Sequence, residues 1–547
     1  MAAQPSIKVM TEDSLKLLLN GQRAEAFELA CAAAVKEGAG HKQNLLFAQA
    51  GAGLKMTAPN PIVKKALVLF LRSDRVDHRD ALVIWYTMLD VDPAITVLRK
   101  VAAKQEFGAA EWAEIEGALN DEVIIEGLRK LIIPDIALER LFQKVRRHLV
   151  LDLWPQGILK TKDLTVICAL AEQCFLNEYI YSAEEDEKKA LAVLPLDNPI
   201  AAAIAGCYAP LYTMNVSPKL SGVTAWRQLA KLQILQPQRE QEILQELKSF
   251  SPISNDVSKG VQAMYEENPY PRWRSASLPL MPHDKARGKM LIAGCGTGRT
   301  TLQTSAMYPN VDITAIDITK RSLSYAKRMC EEKGIENVRF LQGDILELGR
   351  LDDTFDFIEC SGVLHHMADP VAGWEKLIEK LNPGGRMLIC LYSTKARWAQ
   401  KGIREIVAAK NYGSDPDSIR RMRNEALEDP SLKKIERSLD FYTLSEARDL
   451  LFHIQETTYT LAELQEIMDR IGVEFLRFRF PNPEGYNLYK QRFPDEPTFS
   501  NFENWDKLED EREYLFSNMY QFICKKKGDD IKNINALGIA EIAYKNP

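Results

Sequence analysis

A chain of 547 residues is long enough for three or four compact units. Hydrophobic residues at 46% and charged residues at 27% are ordinary for a globular protein, and 70 Lys+Arg against 76 Asp+Glu give a net charge of −6. That balance lacks the basic face with which a dedicated nucleic-acid binder neutralises phosphates. No apolar run is long enough to predict a membrane span, and MAAQPSIKVMTEDS lacks the basic-then-apolar order of a secretory signal. The nine cysteines lie singly in runs such as VICAL, IAGCY and LICLY, and read as reduced core thiols of a cytoplasmic protein.

The first 260 residues read as helical. Residues 22–35 (QRAEAFELACAAAV) are rich in strong helix formers, and NPIVKKALVLFLR, RDALVIWYTMLD and PAITVLRKVAAK continue the pattern between short breaks. Residues 1–120 are predicted to form a degenerate tetratricopeptide-like array, an irregular bundle or a dimerisation region. Residues 121–260 form a second helical block. In it Leu138, Leu141, Val145 and Leu149 share one face. TVICALAEQCFLNEYIYSAEEDEKKALAVL reads as one long helical stretch, with Glu184, Glu185, Asp186 and Glu187 on a solvated face. KVRRH and CKKK read as solvated basic patches or chain ends.

Near Val261 the texture changes. Short β-rich runs (MLIAG, DITAID, VRFLQGD, FDFIECS, RMLICLYS) alternate with amphipathic helices, which specifies a parallel sheet covered on both faces. The predicted order is an α/β core over 261–395, a helical lid over 396–470, final strands VEFLRFRF and MYQFICKK within 471–526, and a tail over 527–547.

The strand MLIAG runs straight into Gly294, Cys295, Gly296, Thr297 and Gly298, after which a helix begins. Glycines there permit a sharp turn and close ligand approach, and the helix N-terminus favours an anion. Asp317 ends the next strand 19 residues after Gly298, where a doubly wound fold places an acid for a ribose hydroxyl pair. Asp344, ending the third strand, is positioned to accept from an adenine amine.

GCGTG, the acidic end of strand two, GD after strand three, VLHHM after strand four and LNPGG before strand five together resemble a class I S-adenosylmethionine-dependent methyltransferase. The resemblance implies S-adenosylmethionine as cofactor, with Ile318, Ile345, Gly362 and Val363 joining the glycine turn and the two aspartates around it. QCFLNEY, YEENPYPRW, RDLLFHIQE and MYQFICKK extend the likeness to bacterial enzymes with a helical N-terminal half, among them the rickettsial outer-membrane-protein lysine methyltransferases.

Methyl transfer from a sulfonium is an in-line displacement that needs alignment, exclusion of water and no metal. A lysine acceptor must first lose its proton, which costs about 4.6 kcal/mol at pH 7. Candidates for the acceptor side come from YEENPYPRW, with Tyr265 and Tyr270 as catalytic candidates and Arg272 and Trp273 as substrate contacts. The alternative for this segment is a stiff interdomain linker. His365 and His366 lie at the carboxyl edge of the sheet, where at most one of two adjacent residues is a base; the alternative is capping of the next helix. His453 and Glu456 are predicted to face the substrate from a shared helix face, or else to end a helix before Thr460 caps the next. Tyr392 and Trp398 read as packing. The seven histidines and the cysteines form no metal-binding spacing, so no metal is predicted.

The reading that follows is a cytoplasmic methyltransferase whose helical half binds a protein substrate, with lysine as the acceptor, or forms a homodimer. No nucleic-acid partner and no membrane span are expected. The alternatives are a small-molecule methyltransferase and an inactive interaction scaffold.

Overall fold

The computed structural model describes residues 5–480, 484–512 and 515–529. These fall into two compact units that interleave along the chain. A helical unit comprises Met1–Arg239, Arg272–Leu280 and Gly413–Ala447, and a sheet-containing unit comprises Glu240–Pro271, Met281–Tyr412 and Arg448–Pro547. Thus 240–260 cluster with the sheet rather than with the helical block before them. Residues 413–447, from the middle of the expected lid, cluster with the helical unit.

In the helical unit every described secondary-structure element is helical. Helix Arg23–Ala34 matches the Ala-rich pattern, and Asn60 caps Pro61–Arg72 by accepting from Ile62 and Val63, with proline at the first position where no N–H is needed. Leu138, Leu141, Val145 and Leu149 are all buried. The two predicted helical blocks are tied together: the Trp85 indole donates to Val123 O at 2.8 Å, and Lys64 Nζ reaches Asp121 at 2.6 Å. Deeper in, Arg423 makes a two-pronged pair with Glu139 at 3.0 Å on each oxygen. Arg129 and Arg274 converge on Glu172.

The predicted long helix over TVICALAEQC and beyond is broken. Helix Leu164–Leu176 ends at Asn177; Glu178 and Tyr179 both take left-handed conformations (φ 59° and 57°), and a new helix spans Glu185–Leu191. Its acidic start is not simply a solvated face, because Glu187 is buried and accepts from Tyr208 Oη at 2.6 Å. Arg146 of KVRRH is likewise buried, its guanidinium 4.0 Å from the Tyr208 ring.

The second unit is built on an eight-stranded sheet: β1 (Lys248–Ser249), β2 (Lys289–Ala293), β3 (Asp312–Asp317), β4 (Val338–Gln342), β5 (Phe355–Ser361), β6 (Leu381–Tyr392), β7 (Val473–Phe478) and β8 (Met519–Lys526). The order is β1-β4-β3-β2-β5-β6-β8-β7, parallel except where β8 pairs antiparallel with β6 and β7. The chain runs outward from β2 through β3 to β4, then returns to β5 on the other side of β2. The carboxyl ends of β2 and β5 therefore flank a topological switch point, where such sheets bind ligands. Strand interiors are nearly continuous in apolar residues because helices cover both faces. Trp505, Phe502 and Phe516 pack on Phe478 of β7 at 4.8–5.6 Å between ring centres.

All nine cysteines are free thiols, eight of them buried. No helix among the described residues is long and apolar enough to cross a membrane. The tail beyond Asp529 lies outside the described residues.

Candidate active site

A crevice of about 260 Å³ opens at the switch point, wholly within the sheet unit. Its floor is the turn after β2. Gly294 sits at φ +73°, and a Cβ there would lie 2.2 Å from Val363 Cγ2. Gly296 sits at φ +52°, and its Cβ would approach the Tyr270 carbonyl oxygen to 2.8 Å. Both positions thus exclude a side chain by conformation and by space. Gly294 and Cys295 each donate a backbone N–H to Ile316 O at 2.9 Å, clamping the turn to β3.

Asp317 braces the same turn. Its Oδ2 accepts from Gly296 N–H at 2.8 Å, and its Oδ1 accepts from the Thr319 backbone and hydroxyl at 2.9 and 2.7 Å. Burial raises the Asp317 carboxyl above its ordinary value, while those donors act in the opposite direction. Asp344 is buried, accepts from Leu346 N–H at 3.0 Å and lines the crevice with Ile318, Ile345, Gly362 and Val363. A carboxylate has about four lone-pair sites, so both aspartates retain acceptor capacity toward a ligand.

Two members of the predicted cofactor set do not reach the crevice. Thr297 is buried behind it and donates its hydroxyl to Pro271 O at 2.5 Å. Gly298 starts helix Arg299–Met307 and lets it approach Ala326, whose Cβ a side chain would meet at 2.4 Å. Both shape the turn from behind. Arg299, Thr300 and Ser322, which the spacing did not single out, line the crevice instead.

The crevice is also lined by aromatic and titratable groups. Tyr265, Tyr270, Tyr392, His366, Asp449, Glu359 and Met519 line it. Tyr265 and Tyr270 stack with ring centres 6.0 Å apart, and Tyr265 Oη donates to Asp449 Oδ1 at 2.5 Å. Burial raises Asp449 above the usual carboxylate value, opposed by the nearby His366 and the Tyr265 hydroxyl. Burial also lowers His366. Its Nδ1 lies 2.8 Å from the Gln455 carbonyl oxygen, which selects the Nδ1–H tautomer and leaves Nε2 as an acceptor.

The remaining acceptor-side predictions are redistributed. His365 is fully buried outside the crevice, its ring 3.8 Å from Tyr392, and is held neutral by burial. His453 does not line the crevice; its ring backs His366 at 3.7 Å, and its pKa is pushed down to about 2 by burial. Glu456 is occupied by Arg397 at 2.7 Å and Arg404 at 2.6 Å. His453 and Glu456 share no helix, since Leu444–Phe452 ends before both. Arg272 and Trp273 belong to the helical unit, where Arg272 lies over the Phe175 ring at 4.8 Å and Trp273 is buried. Tyr392, expected to pack, lines the crevice, whereas Trp398 is exposed.

Asp449 is another crevice residue that sequence reasoning missed. It lies four positions before His453 in RDLLFHIQE, so the helical spacing applied to His453 and Glu456 would have found it in the other direction. His366, Asp449 and His453 form a grouping whose candidate ligand atoms lie within 4.8 Å of one another. A tetrahedral zinc site keeps nitrogen ligands about 3.4 Å apart with lone pairs converging. Here the two imidazoles stack with 26° between their planes, and the His453 Nδ1 accepts from Gln455 N–H at 3.2 Å. The grouping fits a metal less well than it fits proton handling.

Residues 284–436 match the family model for a methyltransferase domain. The chain is 29% identical over 257 residues to an uncharacterized protein of Synechococcus sp., covering 42% of this chain and 62% of that one. It is 31% identical over 118 residues to the demethylmenaquinone methyltransferase of Thermus thermophilus, covering 22% and 53%. Among solved structures, PKMT2 from Rickettsia typhi is similar at 15% identity and a TM-score of 0.34, over 52% of this chain and 56% of that one. The chain thus spans between half and two thirds of the length of these curated relatives. Residues 284–436 thus carry a methyltransferase domain on a doubly wound sheet, for which the sequence resemblance implied S-adenosylmethionine. The glycine cradle, with no room for a Cβ, and the paired acids Asp317 and Asp344 fit that cofactor.

Proposed function

We propose that the protein transfers a methyl group from S-adenosylmethionine to an amine nitrogen of a protein substrate, with lysine as the acceptor. When bound, the cofactor supplies an electrophilic methyl on a sulfonium. In this reading the turn from Gly294 to Gly296 receives the amino-acid end, Asp317 the ribose hydroxyls and Asp344 the adenine amine. Tyr265, Tyr270 and Tyr392 hold the acceptor, because an ammonium or its methylated form is favoured over aromatic faces. They also keep water away from the line of attack.

The observation that carries the amine assignment is Asp449, a buried carboxylate on the acceptor side of an aromatic crevice. It attracts a charged amine, and its raised pKa makes it a better proton acceptor than an ordinary carboxylate. Tyr265 orients it by donating to Oδ1. His366 holds a neutral imidazole beside it as a second acceptor. The helical unit offers the extended surface a macromolecular substrate needs, or a homodimer face.

The test is incubation of the protein with methyl-labelled cofactor and separate protein and metabolite fractions of cells. Label released from protein as N-methyl-lysine is the expected outcome. Label confined to small molecules overturns the protein-substrate reading. A small-molecule acceptor, as the name of the Thermus relative gives for that enzyme, would then stand, with Asp449 accepting whichever proton that acceptor must lose.

A further inference from the structure

Among the described residues four carboxylates line the crevice: Asp317, Asp344, Glu359 and Asp449. Asp317 braces the glycine turn, Asp344 accepts from Leu346 N–H, and Asp449 accepts from Tyr265. Glu359 does none of this work. It is 6% exposed, and among the described residues no donor hydrogen-bonds its carboxylate and no cation forms an ion pair with it. Burial raises its carboxyl above the ordinary value, and Arg479 opposes that rise only as a charge at longer range. A carboxylate taken out of water without a donor is among the costliest groups a fold can bury, so its position calls for a ligand that donates.

The strand register places Glu359 near the glycine turn. It pairs with Ile292 of β2 on one side and with Leu388 of β6 on the other. Side chains paired in this way project to the same face of the sheet. Ile292 also lines the crevice and lies two residues before Gly294, where the turn begins. Tyr392, by contrast, stands four residues beyond Leu388, about 13 Å farther along β6 at the rise of an extended strand. On the turn side the crevice also meets Arg299, the first residue of helix Arg299–Met307. The turn is therefore flanked by a negative pole at Glu359 and a positive one at Arg299 and the helix start.

We infer that Glu359 receives the α-ammonium of the methionine end of S-adenosylmethionine, while the start of helix Arg299–Met307 faces the α-carboxylate. The inference rests on the reading of this crevice as the site of that cofactor, and adds to it a requirement for charge. An ammonium only donates and a carboxylate only accepts, so each satisfies the other. Glu359 thus makes the site selective for adenosyl amino acids over nucleosides that lack the amino group.

The test is calorimetric titration of the full chain with S-adenosylhomocysteine and, separately, with 5′-S-(3-carboxypropyl)-5′-thioadenosine, the same molecule without its amino group. The wild type is expected to bind S-adenosylhomocysteine at least tenfold more tightly, a comparison that needs no variant to fold. Glu359→Gln, which keeps the shape and removes the charge, is expected to weaken S-adenosylhomocysteine about ten- to a hundredfold. The carboxypropyl analogue should stay within about threefold of its wild-type affinity, which also shows that the variant is folded. Equal wild-type affinity for the two ligands, unchanged S-adenosylhomocysteine affinity in the variant, or loss of both ligands by the same factor would overturn the assignment. A wild type that binds neither ligand would overturn the cofactor reading itself, and the assignment with it.

Discussion

Replacing Gly294 by alanine tests the cofactor cradle most directly, because two separable costs fall on one atom. The left-handed conformation at φ +73° costs a residue with a Cβ about 1–2 kcal/mol. The added carbon would also stand 2.2 Å from Val363 Cγ2, and relieving such an overlap costs about 1–3 kcal/mol. Gly294→Ala should therefore destabilise the protein by about 2–5 kcal/mol. Val363→Ala alone removes two methyl groups from a half-buried site and should cost about 1 kcal/mol. In the double variant the two methyl contacts disappear and only the Val363 Cβ, 3.1 Å away, remains close, so most of the overlap cost is relieved and the conformational share stays. The two effects should thus fall short of additivity by about 1–3 kcal/mol, the range of coupled neighbours. Urea unfolding of the four proteins gives the cycle, and titration with S-adenosylhomocysteine gives the affinity, which should drop in both Gly294 variants. Additive energies together with unchanged affinity would refute the reasoning, since the turn would then neither touch Val363 nor hold the ligand.

Asp317→Ala should remove cofactor affinity by a factor of about a hundred or more, since it deletes a charged acceptor and releases Gly296 N–H; calorimetry with S-adenosylhomocysteine checks it. Asp449→Asn should lower kcat by about a hundredfold or more with cofactor affinity retained. Because burial raises the Asp449 carboxyl, the wild-type rate should fall on the acid side at a pH above the ordinary carboxylate value of 3.8, and that limb should vanish in the variant. Glu172→Gln should cost about 3–5 kcal/mol, because it leaves Arg129 and Arg274 without their shared buried partner; thermal unfolding reports it. His78 donates from Nε2 to Ser73 O at 2.7 Å and lies 2.8 Å from Ser275 Oγ through Nδ1, and burial pushes its pKa down to about 3. Its folded pKa is depressed, so its contribution is present above pH 6.5 and is lost as pH falls from there toward 3. The wild type should lose stability across that window more steeply than His78→Gln, read by urea unfolding at a series of pH values.

The cofactor end was legible because it is local. A strand, a glycine turn and a helix start lie within a dozen residues, and positive φ at Gly294 and Gly296 follows from that turn. Asp317, ending β3, and Asp344, two residues past β4, reach the same edge because parallel strands in register align their carboxyl ends. Thr297 and Gly298 misled because adjacent residues of a tight turn face opposite ways: one set lines the crevice, while Thr297 bonds the Tyr270–Pro271 segment and Gly298 meets Ala326.

The acceptor end was not legible in the same way. Tyr265, His366, Tyr392 and Asp449 come from four distant segments, and which side of each segment faces the crevice depends on packing. His365 and His366 are neighbours, yet one is sealed beneath Tyr392 and the other opens to the crevice. Glu456 looked available until the fold brought Arg397 and Arg404 to it. The amino-acid order alone determined the helical half, the doubly wound sheet and the glycine turn, because periodicity and backbone conformation are properties of short stretches. Tertiary structure alone decided that Asp449 lines the crevice, that 413–447 return to the helical unit, and that Tyr179 lines a cavity. Each of those depends on desolvation and on partners remote in the chain, and no local pattern encodes them.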